Sequence, residues 1–170
     1  MSEQIGDRKR LRRGELQAVR ANADPTGERT DRLWSHVRAV PAVRKASVIM
    51  VFDAVGGEPE ADRFIAWCRS LGKTVVVPAP ERDAEFPVAP DVPDAVVVPG
   101  LGFTADGARL GRGGGWYDRF LAGRRLECVA IGVCFAEQVV DELPEEPHDI
   151  RVDMVVTDMG RGGAVRQTSA

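Results

Sequence analysis

The sequence SVIMVF, residues 47–52, is an uninterrupted apolar run about as long as one β-strand. A strand with one solvent-facing side alternates apolar and polar residues, so a run without alternation is typical of a strand covered on both faces. Similar stretches recur along the chain at residues 73–77, 95–98, 127–135 and 154–157. This pattern predicts five buried strands of one sheet.

Helical patterns separate these strands. Residues 7–21 are predicted to form a basic helix, and Asp24-Pro25 to open a second helix that ends near Val40. Residues 58–71 repeat apolar side chains at three- and four-residue steps, which predicts a third helix. Strands that alternate with helices favour an α/β fold: one domain, residues 1–159, with a mainly parallel twisted sheet and helices on both faces. Residues 160–170 are small and polar, and we expect a disordered tail.

The composition narrows the class of protein. The net charge of -3 argues against a nucleic-acid partner, while the basic cluster at residues 8–13 suits a small polyanion. No apolar run approaches the length of a membrane span, and the N-terminus shows no signal peptide. Cys68, Cys128 and Cys134 lie scattered in apolar stretches, which indicates buried thiols in a reducing compartment. We therefore expect a cytoplasmic protein without a membrane partner, as a monomer or weak dimer.

The segment most informative about chemistry is VPGLGF at residues 98–103 with RLGRGGGWYDR at residues 109–119. Four glycines in residues 111–115 allow positive φ and let backbone N–H groups converge on an anion, next to the N-terminus of a predicted helix. Arg109 and Arg112 can add charge-assisted hydrogen bonds to phosphate. Asp118 would repel phosphate unless Mg²⁺ lies between them. The glycines alone leave open a phosphate site and a plain flexible turn.

The whole string resembles the signature of the 5-formyltetrahydrofolate cyclo-ligase family, also called 5,10-methenyltetrahydrofolate synthetase: V-P-G-x-x-F followed by R-L-G-x-G-x-G-x-Y-D. Every fixed position is matched between Val98 and Asp118, and a weaker resemblance covers about residues 8–158. The resemblance implies Mg²⁺-dependent, ATP-driven closure of 5-formyltetrahydrofolate to 5,10-methenyltetrahydrofolate, with release of ADP and phosphate. The partners would then be ATP and a reduced folate, with Mg²⁺ as cofactor.

The resemblance also implies the site residues. Those expected at the triphosphate are Lys9, Arg13, Arg109, Gly111, Arg112, Gly113, Gly114, Gly115, Trp116 and Tyr117. Arg112 would be catalytic, beside the transferring phosphoryl group. Asp118 and Asp149 would hold Mg²⁺, and Glu58 and Trp116 would bind the folate. Phe86 is the aromatic residue that the segment 81–93 offers to the folate, and we expect it to be a further substrate contact.

Several alternatives stay open at this point. The N-terminal basic pair is Lys9 with Arg13 or, in another register, Arg8 with Arg12. Glu58 could simply cap the helix predicted over residues 58–71, and Asp118 could be a helix-start residue. Residues 81–93 form a shorter stretch than family members usually carry. This leaves room for another acceptor, related to thiamine salvage, or for a nucleotide- or folate-binding module without turnover.

Overall fold

A computed structural model of the protein describes residues 1–80 and 85–162. In these residues helices occur at Ser2–Ala21 (α1), Glu28–Arg38 (α2), Pro41–Lys45 (α3), Asp62–Ser70 (α4) and Trp116–Ala122 (α5). The strands are Val48–Met50 (β1), Thr74–Val76 (β2), Ala95–Pro99 (β3), Gly102–Phe103 (β4), Arg109–Leu110 (β5), Val129–Val133 (β6), Met154–Thr157 (β7) and Gly160–Gly162 (β8).

The main sheet of the described chain has six strands in the order β2-β1-β3-β6-β7-β8. Every neighbouring pair from β2 to β7 is parallel, and only the edge strand β8 runs antiparallel to its neighbour. The short strands β4 and β5 form a separate antiparallel ribbon. The mainly parallel sheet predicted from the apolar runs is thus confirmed.

Strand β3 shows why these runs do not alternate. Ala95 and Val97 pack on one side of the sheet, in the core that contains α2, α3 and α4. Val96 and Val98 point to the opposite side, where they meet the aromatic face of α5. All four side chains are fully buried. Helices therefore cover both faces, as expected, and a polar residue at any of these positions would be desolvated without a partner.

Three helix boundaries differ from the prediction. Helix α1 begins at Ser2 rather than at residue 7. Helix α2 begins at Glu28, so Pro25 lies outside it, although the Asp24 carboxylate accepts the N–H of Thr30 at 2.7 Å. Helix α4 begins at Asp62, after a turn through Gly56 and Gly57 at positive φ. Glu58 precedes α4 by four residues, which excludes its proposed capping role.

The predicted disordered tail is wrong for its first three residues. Gly160–Gly162 pairs with β7, with Val155 opposite Gly162 and Thr157 opposite Gly160. A strand at a sheet edge needs main-chain hydrogen bonds more than apolar side chains, so a run of small polar residues can serve. Residues 163–170, the rest of that tail, lie outside the described residues.

Cys68, Cys128 and Cys134 are buried free thiols, as expected from their apolar surroundings. Burial raises the pKa of Cys68 to about 11 and that of Cys128 to about 11, so both are protonated, weakly nucleophilic groups at neutral pH. No helix in residues 1–80 or 85–162 combines the length and the apolar character needed to cross a bilayer.

Candidate active site

A cleft of about 260 Å³ opens at the carboxyl ends of β1 and β3. After β1 the chain moves to β2 on one side, and after β2 it returns to β3 on the other side of β1. The loops that leave β1 and β3 therefore diverge, which is where open parallel sheets bind ligands. The lining comes from α1, the loops after these strands, the glycine-rich turn, α5 and residues 146–149.

The cleft gathers almost all of the predicted site residues. It is lined by Lys9, Arg13, Glu58, Arg109, Gly111, Arg112, Gly113, Gly114, Gly115, Trp116, Tyr117, Asp118 and Asp149, together with Glu146 and His148. These residues belong to segments far apart in the sequence, so the fold, not the chain order, brings them together.

The glycine-rich turn has the backbone that the sequence predicts. Gly113 has φ +110° and Gly115, at the N-terminus of α5, has φ +65°. A Cβ atom on Gly113 would meet the guanidinium carbon of Arg13 at 3.4 Å. Glycine is needed here for the positive φ, whereas a Cβ at 3.4 Å from Arg13 would make only an ordinary van der Waals contact. Arg13 in turn donates from Nε to the Gly111 carbonyl at 2.9 Å, which ties α1 to the turn.

The loop that follows β3 is fixed by Gln138, a fully buried side chain. Its Nε2 donates to the carbonyls of Leu101 at 2.8 Å and Gly100 at 3.2 Å. Arg109 donates to the Pro99 carbonyl at 3.1 Å from the other direction. The wall of the cleft at the end of β3 is therefore held by side chains from two other parts of the chain.

Lys9 lies between two carboxylates. Its Nζ is 2.8 Å from Oε2 of Glu146 and 2.6 Å from Oδ2 of Asp149. Burial disfavours the ammonium, but hydrogen bonds to Asp149 and Glu146 outweigh burial and raise the pKa of Lys9 above its ordinary value of 10.5. Lys9 is therefore a buried cation throughout the physiological pH range.

A second cation of the cleft, Arg109, pairs with the second predicted metal ligand. Its Nη2 is 3.2 Å from Oδ2 of Asp118, and its guanidinium lies 5.4 Å from the centre of the Tyr117 ring. The other oxygen of Asp118 accepts the N–H of Ile150 at 3.0 Å. Asp118 thus connects α5 to the segment after Asp149, which is more than a helix-start residue does.

The N-terminal basic pair that faces the cleft is Lys9 with Arg13. Arg12 points away from the cleft and forms an exposed ion pair with Glu15 at 2.6 Å. Arg8 is exposed and does not line the cleft. Of the two registers left open by the sequence, the geometry favours Lys9 and Arg13.

Glu58 lies at the other end of the cleft, 7% exposed. Arg20 of α1 donates to its Oε1 at 3.2 Å, and the N–H of Val55 donates to its Oε2 at 3.1 Å. Burial raises the pKa of Glu58 above its ordinary value of 4.5, although Val55, Arg20 and Arg112 all favour the carboxylate. Arg112 lines the same cleft, and its positive charge is one of those that favour the carboxylate of Glu58.

Trp116 and Tyr117 present unsatisfied polar atoms at the cleft. The Nε1 of Trp116 and the Oη of Tyr117 are buried and find no hydrogen-bond partner in the described part of the chain. Unpaired buried polar groups are rare, so both atoms lack the hydrogen bond that such groups normally have. Phe86 contacts Trp116 edge-on at 5.3 Å and Phe120 at 5.0 Å, and it does not line the cleft. The structure places Phe86 behind the wall and not on it.

Sequence reasoning missed three members of the site. Glu146 forms an ion pair with Lys9, and Arg20 forms one with Glu58. The Nε2 atom of His148 lies 3.7 Å from Oδ1 of Asp149. The segment 145–149 contains several acids and a histidine, and no local pattern indicates which of these side chains face the cleft. Arg20 could have been suspected, because it lies eleven residues after Lys9, on the same face of α1.

Asp118 and Asp149 have the carboxylate chemistry that a Mg²⁺ site requires. Both carboxylates line the cleft beside the glycine-rich turn, and carboxylate oxygens next to phosphate are the environment in which proteins hold this ion. Ligand atoms of Glu146, His148 and Asp149 also lie within 4.8 Å of one another, close enough to share one cation. The donors for a metal are therefore present on the side of the cleft that carries the phosphate-type turn.

A family profile described as the 5-formyltetrahydrofolate cyclo-ligase family matches residues 88–158, which include the glycine-rich turn and both aspartates. A 5-formyltetrahydrofolate cyclo-ligase of Mycolicibacterium smegmatis is 30% identical over 140 residues, covering 64% of this chain and 72% of that protein. The chain belongs to the 5-formyltetrahydrofolate cyclo-ligase family. A cyclo-ligase of Mus musculus is 39% identical over 67 residues, covering 37% of this chain and 33% of that protein.

Two solved structures share the fold of this cyclo-ligase family member. A 5,10-methenyltetrahydrofolate synthetase of Aquifex aeolicus superposes with a TM-score of 0.79 at 23% identity, over 95% of both chains. A 5,10-methenyltetrahydrofolate synthetase of Mycoplasma pneumoniae gives a TM-score of 0.77 at 21% identity, over 88% of this chain and 98% of the other. The single-domain α/β architecture is thus shared across the length of these proteins.

Proposed function

We propose that this protein catalyses the ATP-driven closure of 5-formyltetrahydrofolate to 5,10-methenyltetrahydrofolate, with Mg²⁺ as cofactor and with release of ADP and phosphate. Membership of the cyclo-ligase family supports the reaction, and the cleft supports its assignment to named residues.

The observation that carries the proposal is the arrangement of one cleft with two chemically different ends. At one end the glycine-rich turn meets Lys9, Arg13 and Arg109, which suits a polyphosphate. At the other end lies the buried carboxylate of Glu58, and Trp116 and Tyr117, with their unpaired polar atoms, line the same cleft. A ligand with N–H groups on a flat ring system matches this second end.

Both ends are reached by one helix. Lys9 and Arg20 are eleven residues apart on α1, which corresponds to about 16 Å along the helix axis. Lys9 contacts Glu146 and Asp149, while Arg20 contacts Glu58. Helix α1 therefore separates the Lys9 cluster from Glu58 by about this distance.

The chemistry requires the formyl oxygen to become a leaving group. That oxygen attacks the γ-phosphorus, the bond from the γ-phosphorus to the bridging oxygen breaks, and ADP leaves. N10 of the folate then attacks the formyl carbon and gives up its proton to solvent, and the carbon–oxygen bond breaks to release phosphate. The protein's contribution is positioning and charge stabilisation, as in other phosphoryl transfers.

Residue roles follow from their places in the cleft. The backbone N–H groups of residues 111–115 hold the phosphates, with Arg109 and Lys9 as charged partners. Arg112 belongs to the glycine-rich turn and lines the cleft, where it can stabilise charge on the phosphoryl group in transfer. Asp118 and Asp149 would hold Mg²⁺, which neutralises charge on the phosphates when it is bound.

The decisive experiment mixes the purified protein with 5-formyltetrahydrofolate, ATP and Mg²⁺ and follows the absorbance of the methenyl product. We expect product only when all three are present. ATP binding without turnover of this folate would contradict the proposed acceptor and favour a different one. Absence of ATP binding would contradict the nucleotide assignment as well.

We further propose that ATP and the folate are its partners, that no nucleic acid takes part, and that the protein works in the cytoplasm as a monomer or weak dimer. The positive side chains of the site point into one cleft instead of forming a broad basic surface, which supports a small polyanion as ligand. Sedimentation velocity at several protein concentrations tests the oligomeric state.

A further inference from the structure

The contacts of Lys9 place a cation where the proposed metal ligand is. Its ammonium is 2.6 Å from Asp149 and 2.8 Å from Glu146, and the Lys9 side chain is only 7% exposed. The carboxylates themselves are 12% and 24% exposed. Asp149 therefore already has a charged partner in the ligand-free protein, and that partner is a residue proposed to bind phosphate.

The charge of this cluster does not favour a metal ion in the ligand-free protein. Two carboxylates and one ammonium leave this cluster with a net charge of about -1, which is too little to hold a divalent ion beside the ammonium without strong repulsion. If phosphate oxygens draw the ammonium away from Asp149, the carboxylate becomes available to the metal. The phosphate then gains Lys9, and the metal gains Asp149.

We propose that Lys9 and the divalent metal compete for Asp149, and that Glu146 is a positioning residue that keeps Lys9 in the cleft when Asp149 turns to the metal. This inference rests on the proposed function, because it assigns nucleotide and metal to this end of the cleft. It adds a role for Glu146 and makes the two ligands depend on each other. By linkage, ATP strengthens metal binding by the same factor by which the metal strengthens ATP binding.

The competition is tested first without nucleotide, using Mn²⁺ as the probe in calorimetry. Wild-type protein should bind Mn²⁺ weakly, and Lys9→Met should bind it about 10- to 100-fold more tightly, as expected for removing a competing charge-assisted hydrogen bond. Lys9→Arg keeps the cation and should stay weak. Arg10→Met is the matched control, since it makes the same charge change on α1 at a side chain that is 80% exposed.

Equal Mn²⁺ affinities in wild type and Lys9→Met would overturn the competition. So would an equal gain in Arg10→Met, because that would show a general charge effect. Lys9→Gln is a second neutral variant in case Lys9→Met does not fold, and melting curves check both.

The role of Glu146 is tested with a non-hydrolysable ATP analogue, whose affinity is measured in EDTA and in Mg²⁺. In EDTA, Glu146→Gln removes a negative charge that repels the phosphates of the analogue. In Mg²⁺, the same variant leaves Asp149 as the carboxylate for which Lys9 and the metal compete. The tightening produced by Mg²⁺ should therefore fall by about tenfold. Glu146→Asp should restore part of it. Glu145→Gln is the matched control, because Glu145 pairs with Arg151 instead of Lys9.

If Glu146→Gln weakens the analogue equally in EDTA and in Mg²⁺, Glu146 supports the fold only and the proposal is wrong. Absence of analogue binding to wild-type protein in both conditions would contradict the proposed function. The Mn²⁺ experiment contains no nucleotide, so it judges the competition at Lys9 independently of that result.

Discussion

The two ends of the cleft differ in how their charges are balanced. At the phosphate end, Lys9 and Arg109 each form an ion pair with an aspartate proposed to bind Mg²⁺. At the acceptor end, Glu58 pairs with Arg20, and Trp116 of the same cleft has a buried N–H without a partner among the described residues. One end holds charges that can exchange partners, and the other holds hydrogen-bonding groups in a largely apolar wall.

This difference matches the two kinds of ligand. A polyphosphate and a divalent cation carry opposite charges, and together they can replace the internal ion pairs without leaving a buried charge unpaired. A flat, neutral ring needs polar partners along its edge and an apolar surface for its face. The phosphate end should therefore respond to changes in backbone and charge, and the acceptor end to changes in packing and protonation.

The largest effect is expected from Gly113→Val. The new side chain would force an unfavourable backbone at φ +110° and would stand 3.4 Å from the guanidinium of Arg13. If two charge-assisted hydrogen bonds to phosphate are lost, ATP affinity should fall by about a thousandfold. Calorimetric titration with Mg-ATP measures the loss, and circular dichroism confirms that the variant folds.

Gly72→Val is the control for that substitution. Gly72 also has positive φ, +74°, but has open space around its Cβ position and lies after α4, outside the cleft. It should lower the melting temperature through backbone strain of about 1–2 kcal/mol and leave ATP affinity unchanged. An unchanged ATP affinity in folded Gly113→Val would show that the turn does not approach the nucleotide.

The phosphate end could be predicted from the sequence because much of it is contiguous. Residues 109–118 carry the glycines, two arginines and one aspartate in ten positions, and local physics alone explains why they belong together. The β4–β5 ribbon that positions them was not predicted, since two-residue strands leave no periodic pattern. Glu146 was missed because its partner Lys9 is 137 residues away in sequence.

The next largest effect is expected from Asp118→Asn. The amide oxygen can still accept the N–H of Ile150, so the fold should persist, but the negative charge next to Arg109 and the phosphates is lost. We expect Mg²⁺-dependent turnover to fall by about a hundredfold. A Mg²⁺ titration of the rate is the measurement, with Asp31→Asn, an exposed carboxylate paired with Arg63, as the control. Wild-type rates at every Mg²⁺ concentration would remove Asp118 from the metal site.

The acceptor end was harder to predict, because its contacts depend on packing between distant segments. Glu58 was correctly placed beyond β1, but the buried ion pair with Arg20 requires the turn at Gly56 and Gly57 to face α1. Phe86 was expected at the substrate because it is the aromatic residue of segment 81–93. Its actual neighbours, Trp116 and Phe120, belong to α5, and no local pattern indicates which face of an aromatic cluster meets solvent.

A smaller effect is expected from Phe86→Ala. Loss of a half-buried ring should lower the free energy of unfolding by about 1–3 kcal/mol. Because Phe86 supports Trp116 from behind, the KM for 5-formyltetrahydrofolate should rise modestly while the KM for ATP stays nearly constant. Urea unfolding and steady-state kinetics with each substrate varied measure the two effects. Phe86→Leu keeps most of the contact and should restore both.

If Phe86→Ala leaves stability unchanged but strongly weakens folate binding, Phe86 touches the substrate directly. That result would favour the role expected from the sequence over the supporting role that its contacts indicate.

The smallest effect is a difference in pH dependence between the two ends. Burial raises the pKa of Glu58 above 4.5, so this carboxylate takes up a proton at a higher pH than an ordinary glutamate. As pH falls through that raised value, Glu58 loses the charge that accepts N–H donors, and the KM for the folate should rise by about tenfold or less, the equivalent of one typical hydrogen bond. Lys9, whose pKa is raised above 10.5, stays charged throughout.

Protonating Glu58 should also favour the folded state, because the folded protein then binds a proton that the unfolded chain takes up only at lower pH. The stability that Glu58 contributes is fully present below its pKa in the unfolded chain and is lost as pH rises through its pKa in the folded protein.

Glu58→Gln removes the titration, so the ratio of its folate KM to that of wild type should change across the mildly acidic range and level off above it. A ratio that does not vary with pH would show that the protonation of Glu58 has no part in folate binding, and the acceptor end would then be set by shape and packing alone.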